Sequence, residues 1–376
     1  MKIVVTGTRG IPGIQGGVET HCEELFPRLA DGEHHVTVVR RSAYATDLSV
    51  KNYRGVDIKD IRAPRSKSFE AIVHTVKAVL YARKAKADVV HIHAVGPGLL
   101  VPFVRLLGMK AVFTHHGEDY CRAKWGRLAK GMLRAGEYLG VRYANRVIVI
   151  SDYLRQMLED KYPCQKQVTL IYNGVNAVTR QLGTDYLHRM GLRENNYILA
   201  VGRLVPEKGF DLLVRAFGRE APEGMRLVIA GEADHEDEYA KRLKAMCAAD
   251  GRVCLTGFVK GEALAQLYAH TRLFVLPSSH EGLPISLLEA MSYGCPIVAS
   301  DIPANREIGL PGGCYFKSGE EAGLQQALRE ALASGEGGRV HYDLSKYSWQ
   351  RIAEQTREVY DFLGVKHNKR KESTIL

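Results

Sequence analysis

The sequence predicts an α/β protein made of two domains, each with a doubly wound and mostly parallel sheet. Short apolar, β-branched segments alternate with helical segments through residue 173, and the alternation begins again after the turn-forming step Asn173-Gly174. Strands that alternate with helices are typical of parallel sheets covered by helices on both faces. The length of 376 residues also exceeds what one hydrophobic core usually holds.

The first domain, residues 1–173, is predicted to be Rossmann-like. Its strands are predicted from short runs rich in Val and Ile, and its helices from longer segments with apolar residues at helical spacing. The predicted strands are Lys2–Thr6, His35–Arg40, Asp88–His93, Lys110–Thr114, Arg146–Ile150 and Gln167–Ile171. The predicted helices are Val18–Leu29, Phe69–Lys86 and Arg127–Tyr143.

The second domain, residues 174–347, repeats the pattern. Its predicted strands are Tyr197–Val201, Arg226–Ala230, Val253–Leu255, Arg272–Leu276 and Pro296–Ala299. Its predicted helices are Gly209–Gly218, Glu236–Ala249, Gly261–His270, Pro284–Tyr293 and Glu320–Ala333. A last helix, residues 348–363, is expected to pack back on the first domain, and a basic tail, 364–376, is expected to be disordered because it is polar.

Composition excludes several classes of protein. No apolar run approaches the 18 residues that a membrane-spanning helix needs. The first residues, Met1–Gly7, form a strand pattern that is too short for a signal peptide. The seven cysteines are scattered, and their odd number argues against a disulfide framework or a structural zinc site. We therefore expect a cytoplasmic protein.

The net charge of +10 is concentrated in the first domain. Residues 1–173 contain 27 Lys and Arg against 16 Asp and Glu, whereas the remainder is nearly neutral. Nucleic acid, an anionic membrane surface and a phosphorylated acceptor all match such a domain, and so does solubility alone. Its basic clusters are Arg62, Arg65 and Lys67; Arg83, Lys84 and Lys86; and Arg122, Lys124, Arg127 and Lys130.

Candidate functional residues fall after predicted strands, where open α/β sheets bind ligands. A glycine-rich segment, residues 7–17, follows the first strand and would let a phosphate approach the backbone. His115 and His116 follow the fourth strand, where a histidine can contact a sugar. A metal pair and two solvated side chains are the alternatives for these histidines, and the spacing matches no metalloenzyme helix.

The second domain has three such segments. Arg203 and Lys208 follow its first strand and combine a guanidinium fork with a point charge, which suits a diphosphate. Phe258 and Val259 follow a later strand, where the backbone can meet a base edge. Glu281 precedes a helix that Pro284 is expected to start, and Glu289 lies inside it. The helix start attracts an anion, and carboxylates accept hydrogen bonds from hydroxyls, so this segment matches a nucleotide sugar.

These motifs together resemble the retaining family-four glycosyltransferases, whose two Rossmann-like domains face a central cleft in the GT-B fold. The resemblance rests on Gly16-Gly17-Val18-Glu19, on Gly202-Arg203 with Lys208-Gly209, and on Glu281-Gly282-Leu283-Pro284 followed by Glu289-Ala290-Met291. The opening Gly7 to Pro12 and the segment Arg122-Ala123-Lys124-Trp125-Gly126 are similar to a rhamnosyltransferase-like bacterial branch. The resemblance covers about residues 1–360.

The resemblance implies a role for each matching residue of the second domain. Arg203 and Lys208 bind the donor diphosphate, and Glu289 binds the nucleotide ribose. Glu281 faces the hydroxyls of the donor sugar. The residues beside Glu281 that supply backbone contacts and shape are Gly282, Leu283 and Pro284. The base is contacted by Phe258 and Val259.

In the first domain the resemblance implies that Gly16 and Gly17 lie at the donor phosphates, with Gly17 closest. His116, which precedes Gly117, would face the donor sugar; the doubled His115-His116 leaves His115 as the other possibility. Family enzymes of this type need no metal, in agreement with the missing Asp-x-Asp pair, so we expect neither a metal nor another cofactor.

The resulting expectation is a retaining, metal-independent glycosyltransferase that uses a nucleotide sugar, expected to be a UDP-sugar. Its acceptor would be a growing surface glycan linked to a polyprenyl diphosphate, reached through contact of the basic domain with the anionic inner face of the membrane. A nucleotide-sugar epimerase, a glycan phosphorylase and a non-catalytic sugar-nucleotide-binding partner are the alternatives. A nucleic-acid partner is not expected, because no set of aromatic stacking residues lies in a basic groove.

Overall fold

A computed structural model describes residues 1–64, 70–122, 125–163, 168–178, 182–234, 236–333 and 338–372, with side chains as far as residue 364. The chain forms two compact units, one of Met1–Gly174 with Trp349–Leu376 and one of Val175–Ser348. Some of the residues singled out above lie outside the described part of the chain: Arg65, Lys67, Phe69, Ala123, Lys124 and Gln167.

The first unit is built on an eight-stranded sheet of order β3-β4-β2-β1-β5-β6-β7-β8. Its strands are β1 (Lys2–Thr6), β2 (His35–Arg41), β3 (Asn52–Tyr53), β4 (Val56–Ile61), β5 (Val89–His93), β6 (Lys110–His115), β7 (Arg146–Val149) and β8 (Val168–Leu170). Its helices are α1 (Gly17–Leu29), α2 (Glu70–Lys84), α3 (Val101–Leu106), α4 (Arg127–Tyr143), α5 (Asp152–Lys161) and, at the end of the chain, α13 (Trp349–Glu372).

The second unit is built on a six-stranded sheet of order β11-β10-β9-β12-β13-β14 in which all pairs are parallel. Its strands are β9 (Tyr197–Val201), β10 (Arg226–Ala230), β11 (Val253–Gly257), β12 (Leu273–Leu276), β13 (Ile297–Ser300) and β14 (Tyr315–Phe316). Its helices are α6 (Asp185–Arg189), α7 (Phe210–Glu220), α8 (Glu238–Ala248), α9 (Gly261–His270), α10 (Ile285–Ser292), α11 (Pro303–Arg306) and α12 (Glu321–Ala333).

The predicted fold class is confirmed. Strands such as β1 and β12 are buried and mostly apolar on both faces because helices cover both sides of a parallel sheet. The hydrophobic core of the second unit joins β9, β10 and β12 to α7 through Ile198, Leu227, Val275 and Phe217, all of which are buried. Among the described residues, no helix is both long enough and apolar enough to cross a bilayer.

Several elements differ from the sequence-based prediction. The antiparallel pair β3–β4 was not predicted, although Val56 and Ile58 alternate with charged residues and Arg54-Gly55 forms the turn with positive φ at both positions. The helix α10 begins at Ile285, because Pro284 has an extended ψ of 110° and precedes the first helical turn. The helix α13 continues to Glu372, since the tail that we expected to be disordered contains good helix formers.

The helix α13 belongs to the first unit although it is last in the sequence. It packs against α1, and Arg357 forms an ion pair with Asp31 at 2.7 Å. Its first residue, Trp349, lies under Gly174, where an added Cβ would come within 2.5 Å of the indole. The first unit is therefore assembled from two segments that are far apart in the chain.

A pair of glycines tests the packing of the second unit. Gly209 has a left-handed φ of 63°, and a Cβ there would lie 2.5 Å from the carbonyl oxygen of Pro277. We expect Gly209→Ala to destabilise the protein by more than the roughly 1–2 kcal/mol that a left-handed backbone costs alone. Gly218 lies exposed inside α7 with open space around it, so Gly218→Ala should stabilise by about 0.5–1 kcal/mol. Urea denaturation measures the change in the free energy of unfolding of each variant. Changes of the same sign in both variants would contradict this packing.

Candidate functional site

The predicted donor residues of the second unit lie at the point where its strand order reverses. The neighbouring strands β9 and β12 lead into loops on the same edge of the sheet, because both strands are parallel. The loop after β12 contacts the loop after β9, since Ser279 N–H donates to the carbonyl oxygen of Glu207 at 2.8 Å. Ligand-binding crevices in open α/β sheets form at such points.

Two ion pairs organise this edge. Lys208 Nζ lies 2.6 Å from Glu281 Oε1, and both side chains are largely buried. Arg203 Nη1 lies 2.8 Å from Asp234 Oδ2. The structure therefore brings Lys208 and Glu281, which come from two separate loops, into direct contact. The partner of Arg203, in contrast, is a residue that the sequence analysis missed. Asp234 follows β10, the strand beside β9, and its position at that strand end was the available signal.

The helix α10 carries Glu289 and begins beside Glu281. None of the described side chains caps its N-terminus. Leu287, Leu288 and Met291 are buried and hold the helix against the core. This leaves the positive end of the helix dipole next to the Lys208–Glu281 pair, where it favours an anion.

Glu289 is held in one orientation by a tyrosine. Tyr268 donates a hydrogen bond from its hydroxyl to Glu289 Oε2 at 2.9 Å, and its ring stacks on Tyr293 with centroids 5.5 Å apart. Burial and then the charge of Glu289 raise the pKa of Tyr268 well above its ordinary value, so it stays a donor. The half-buried carboxylate keeps acceptor capacity for a ligand hydroxyl. The sequence analysis did not identify Tyr268.

The remaining candidate residues of the second unit lie either in the Glu281 loop or after another strand of the same sheet. Gly282, Leu283 and Pro284 connect Glu281 to α10, and Leu283 and Pro284 are buried. Phe258 and Val259 follow the edge strand β11, which β10 separates from β9. Phe258 is 40% exposed, and an exposed aromatic ring suits stacking on a planar ligand.

In the first unit, the glycine-rich loop is held by Glu19. Its carboxylate accepts hydrogen bonds from Thr8 Oγ1 at 3.1 Å and from Arg9 N–H at 2.9 Å. Gly16 has a φ of 145°, a backbone conformation that favours glycine, and a Cβ there would lie 2.1 Å from Glu19 Oε2. A Cβ at Gly17 would meet open space, and Gly17 is exposed at the start of α1. A ligand can therefore approach the backbone at Gly17.

The adjacent histidines at the end of β6 have different environments. His115 is fully buried; its Nδ1 accepts a hydrogen bond from Gly117 N–H at 3.3 Å, so its Nε2 donates to Glu137 at 3.0 Å. The buried Glu137 also accepts hydrogen bonds from Lys161, Tyr120 and Tyr162. Burial opposes its ionisation, but His115 and then Lys161 outweigh it and lower the pKa of Glu137 to about 2. His115 is thus engaged inside the unit.

His116 lies instead in a cluster with His93 and His21. His93 Nδ1 is 2.8 Å from His116 Nε2, and the ring centroid of His21 is 5.0 Å from that of His116. His21 Nδ1 is bonded to Asn173 Oδ1 at 3.0 Å. One nitrogen from each histidine lies within 4.8 Å of the other two, an arrangement that could hold a metal ion. The sequence places His93 at the end of a predicted strand, but nothing in it links His21 to the other two histidines.

These histidines are neutral at physiological pH. Burial holds the pKa of His116 well below its usual range, and the neighbouring His21 and His91 add to the effect. Burial also lowers the pKa of His21 to about 4, although the hydrogen bond with Asn173 opposes it. His91, bonded to Tyr360 and Thr114, has its pKa lowered to about 3 by burial and by His21. His116 can therefore offer a neutral imidazole to a ligand.

The neutral histidines predict a pH dependence of stability. Their pKa values are lower in the folded protein than the unfolded value of about 6.5, so unfolding takes up protons below that pH. Stability should fall as the pH is lowered from 6.5 towards 5, by as much as about 1.4 kcal/mol per pH unit for each histidine. Urea denaturation across this range measures the slope. His91→Gln should reduce the slope by one proton, and His341→Gln, at an exposed position, is the control. A slope unchanged by His91→Gln would contradict the assignment.

The chain is similar to known proteins over most of its length. A family model described as Glycosyltransferase Family 4 matches residues 15–178, and one described as Glycosyl transferases group 1 matches residues 195–334. An uncharacterised glycosyltransferase of Methanocaldococcus jannaschii is 27% identical over 393 aligned residues, which cover 96% of this chain and 98% of the relative.

Two solved structures show the same fold. Sucrose-phosphate synthase from Thermosynechococcus elongatus superposes with a TM-score of 0.82 at 21% identity, covering 97% of this chain and 99% of the other. Anabaena HepE in complex with UDP-glucose superposes with a TM-score of 0.77 at 19% identity. The superposition covers 96% of this chain and 99% of the HepE chain. Both likenesses extend over nearly the whole chain.

Proposed function

Because the chain belongs to the family-four glycosyltransferases with the GT-B fold, we propose that it is a retaining enzyme that transfers a sugar from a UDP-sugar. The proposed acceptor is a growing bacterial surface glycan carried on a polyprenyl diphosphate at the cytoplasmic face of the membrane. The observation that carries the donor assignment is the Lys208–Glu281 pair beside the start of α10.

The charges of this region suit a leaving diphosphate. Negative charge develops on the diphosphate as the bond to the sugar breaks, and fixed cations with a helix N-terminus stabilise such charge without reorganisation. Lys208 and Arg203 provide the cations, and in the ligand-free protein each is held by a carboxylate, Glu281 or Asp234. A bound diphosphate competes for these cations, while Glu281 is left beside the sugar to accept hydrogen bonds from its hydroxyls.

The nucleoside assignment rests on Glu289 and Phe258. A carboxylate held by Tyr268 suits the two hydroxyls of a ribose, and an exposed aromatic ring at the end of β11 suits the face of a base. Support for uracil as the base comes from the fold neighbour HepE, which has been solved with UDP and with UDP-glucose.

The proposed chemistry needs no nucleophile from the protein. The acceptor oxygen attacks C1 of the sugar from the side of the leaving group, the bond from C1 to the diphosphate oxygen breaks, and that oxygen receives the acceptor proton. Neutral His116 contacts the sugar and does not add positive charge. The sequence has no Asp-x-Asp pair to hold a catalytic metal, so we propose that the transfer is metal-independent.

The surface of α4 supports a place at the membrane. Its exposed face combines Arg127, Arg134 and Arg142 with Leu128 and Tyr138, while Glu137, the one acidic residue of the helix, is buried. An exposed face with basic and apolar side chains and no carboxylate matches an anionic lipid surface. We propose that this face docks the enzyme on the cytoplasmic leaflet, where a lipid-linked acceptor lies.

A donor screen tests the proposed function. A panel of nucleoside diphosphate sugars is added to the protein in EDTA, and unfolding temperature and loss of donor are measured. We expect a UDP-sugar to stabilise the protein, by about 2.7 kcal/mol at 100 times its dissociation constant, and to be turned over without added metal. Conversion of the donor to another UDP-sugar without an acceptor would indicate an epimerase instead. A strict Mg²⁺ or Mn²⁺ requirement would refute metal independence.

Substitutions separate the roles of three side chains. Lys208→Ala and Glu289→Gln should each weaken UDP binding by about 1.5–3 kcal/mol, the usual contribution of a hydrogen bond to a charged group. Glu281→Gln releases Lys208 from its carboxylate, so UDP should bind at least as tightly while turnover of the UDP-sugar falls about 10–100-fold. Calorimetry and steady-state kinetics supply the two readouts.

The control for these variants is Glu238→Gln on α8, where the side chain is 94% exposed. It should leave both UDP affinity and turnover unchanged. If Glu281→Gln weakened UDP binding as much as Glu289→Gln does, the division between sugar and ribose would be wrong.

Vesicle binding tests the docking face. The triple variant Arg127→Ser, Arg134→Ser and Arg142→Ser should lose about 1 kcal/mol of binding per residue to anionic vesicles at low salt, and the wild type should be released at high salt. Cosedimentation measures both. The matched control, Arg219→Ser with Lys317→Ser and Arg329→Ser, removes three exposed positive charges from the second unit and should bind as the wild type does. Equal losses in the two variants would mean that binding follows net charge and not this face.

A further inference from the structure

The cluster of His21, His93 and His116 has chemistry beyond the proposed transfer. We propose that these three histidines form a binding site for a transition metal ion of the Zn²⁺, Cu²⁺ or Ni²⁺ type, and that an ion bound there inhibits the enzyme by engaging His116. The inhibition rests on the proposed function, because it assumes that His116 meets the donor sugar. The binding of the ion does not depend on that assumption.

The three side chains already have nearly the geometry of a three-histidine metal site. Their ring centroids lie 5.0, 5.1 and 5.6 Å apart, and one nitrogen from each lies within 4.8 Å of the other two. Metal–nitrogen bonds of about 2.0–2.1 Å in tetrahedral geometry place ligand nitrogens roughly 3.3 Å apart. His93 Nδ1 and His116 Nε2, now 2.8 Å apart, therefore have to separate by only about half an ångström. The other two nitrogen pairs, which lie within 4.8 Å, have to close by at most about 1.5 Å.

The hydrogen positions are compatible with an ion. Asn173 accepts a hydrogen bond from His21 Nδ1, which leaves the lone pair of His21 on Nε2. Such an outer partner is what usually orients a metal-binding imidazole. One hydrogen lies between His93 Nδ1 and His116 Nε2. When that hydrogen moves to the other nitrogen of the ring that carries it, both of these nitrogens present lone pairs and an ion can bind between them. Both rings stay neutral, so no net proton has to be lost.

The second ring nitrogen of His93 can take up the hydrogen that leaves Nδ1 without breaking another bond. Its Nε2 is buried and has no hydrogen-bond partner among the described residues. His91, the next histidine on the same face of β5, differs in this respect, because both of its nitrogens are bonded at 2.6 Å to Tyr360 and Thr114. The incomplete bonding of His93 is thus not a general property of the buried histidines on this strand.

The ligand set predicts which ions bind. Within the described part of the chain the cluster consists of three imidazoles without a carboxylate. Imidazole suits Zn²⁺, Cu²⁺ and Ni²⁺, whereas Mg²⁺ and Ca²⁺ require oxygen ligands. Three protein ligands also leave a fourth position for water. An ion on His116 Nε2 would fix the hydrogen of the neutral ring on Nδ1, so that Nδ1 could no longer accept a hydrogen bond from a hydroxyl of the donor sugar.

Calorimetric titration of the metal-free full chain tests the binding. Zn²⁺ should bind the wild type at one equivalent, and Mg²⁺ should give no signal. His21→Gln and Asn173→Ala should each weaken Zn²⁺ binding by at least about 10–100-fold, the effect that removal of an outer partner alone produces. His35→Gln, at an exposed position in the same unit, should bind Zn²⁺ as the wild type does. Asn173→Ala keeps all three ligands and so reports on the site even if His21→Gln does not fold.

A spectroscopic readout locates the ion. The ring of Trp349 lies 5.7 Å from that of His21, and the chain has one other tryptophan, Trp125. In a Trp125→Phe background, Cu²⁺ should quench the fluorescence of Trp349 at one equivalent, and His21→Gln should abolish the quenching. Absence of Zn²⁺ binding, or binding and quenching that both survive His21→Gln and Asn173→Ala, would overturn the proposed site.

Activity then tests the inhibition separately. Zn²⁺ should inhibit donor turnover by the wild type, EDTA should reverse the inhibition, and the residual turnover of Asn173→Ala should resist Zn²⁺ at concentrations that inhibit the wild type. Stoichiometric binding without inhibition would overturn the inhibitory role while retaining the site. If no variant or wild type turned over any donor, the proposed function would fail, and calorimetry and fluorescence would still decide the metal site.

Discussion

The close approach of Gly209 to the carbonyl oxygen of Pro277 is the contact on which the donor region depends. It brings the loop after β9 against the loop after β12, and the backbone bond from Ser279 to Glu207 holds the two together. Lys208 directly follows Glu207, and Glu281 lies two residues after Ser279. Their 2.6 Å ion pair therefore follows from backbone packing and not from side-chain length alone. The reversal of strand order between β9 and β12 is what makes the two loops neighbours.

Charge compensation in the ligand-free protein follows from this packing. A partly buried cation without a partner is costly, and Lys208 and Arg203 are each matched by a carboxylate. In the proposed function, the carboxylates hold the two cations in place and compete for them with the incoming diphosphate. The charge of each cation is thus compensated before the proposed diphosphate binds, and Glu281 becomes available to the sugar once the diphosphate has replaced it at Lys208.

The sequence predicted the regular elements and the local motifs better than the pairings between distant residues. The bounds of β1, α4, β9, β10 and α9 agree with the prediction, because apolar periodicity and flanking turn residues define them locally. The pair β3–β4 has few apolar residues and was missed, and α13 continues where polarity alone suggested disorder. The charged pair Lys208–Glu281 joins two predicted motifs, whereas Asp234, Tyr268 and the contacts of His116 come from segments that no local pattern connects.

The histidine cluster shows why burial and chemistry have to be considered together. His21 comes from α1, His93 from β5 and His116 from the residue after β6, so the sheet and helix packing of the first unit assembles them. Because burial keeps them neutral, each ring has one donor and one acceptor nitrogen, and three such rings cannot satisfy one another completely. His93 Nε2 is the buried nitrogen of the cluster that has no hydrogen-bond partner among the described residues. In the proposed function the lone pair of His116 meets a sugar hydroxyl, and in the proposed metal site it meets an ion. Because a neutral imidazole has only one lone pair, the two ligands would compete for His116.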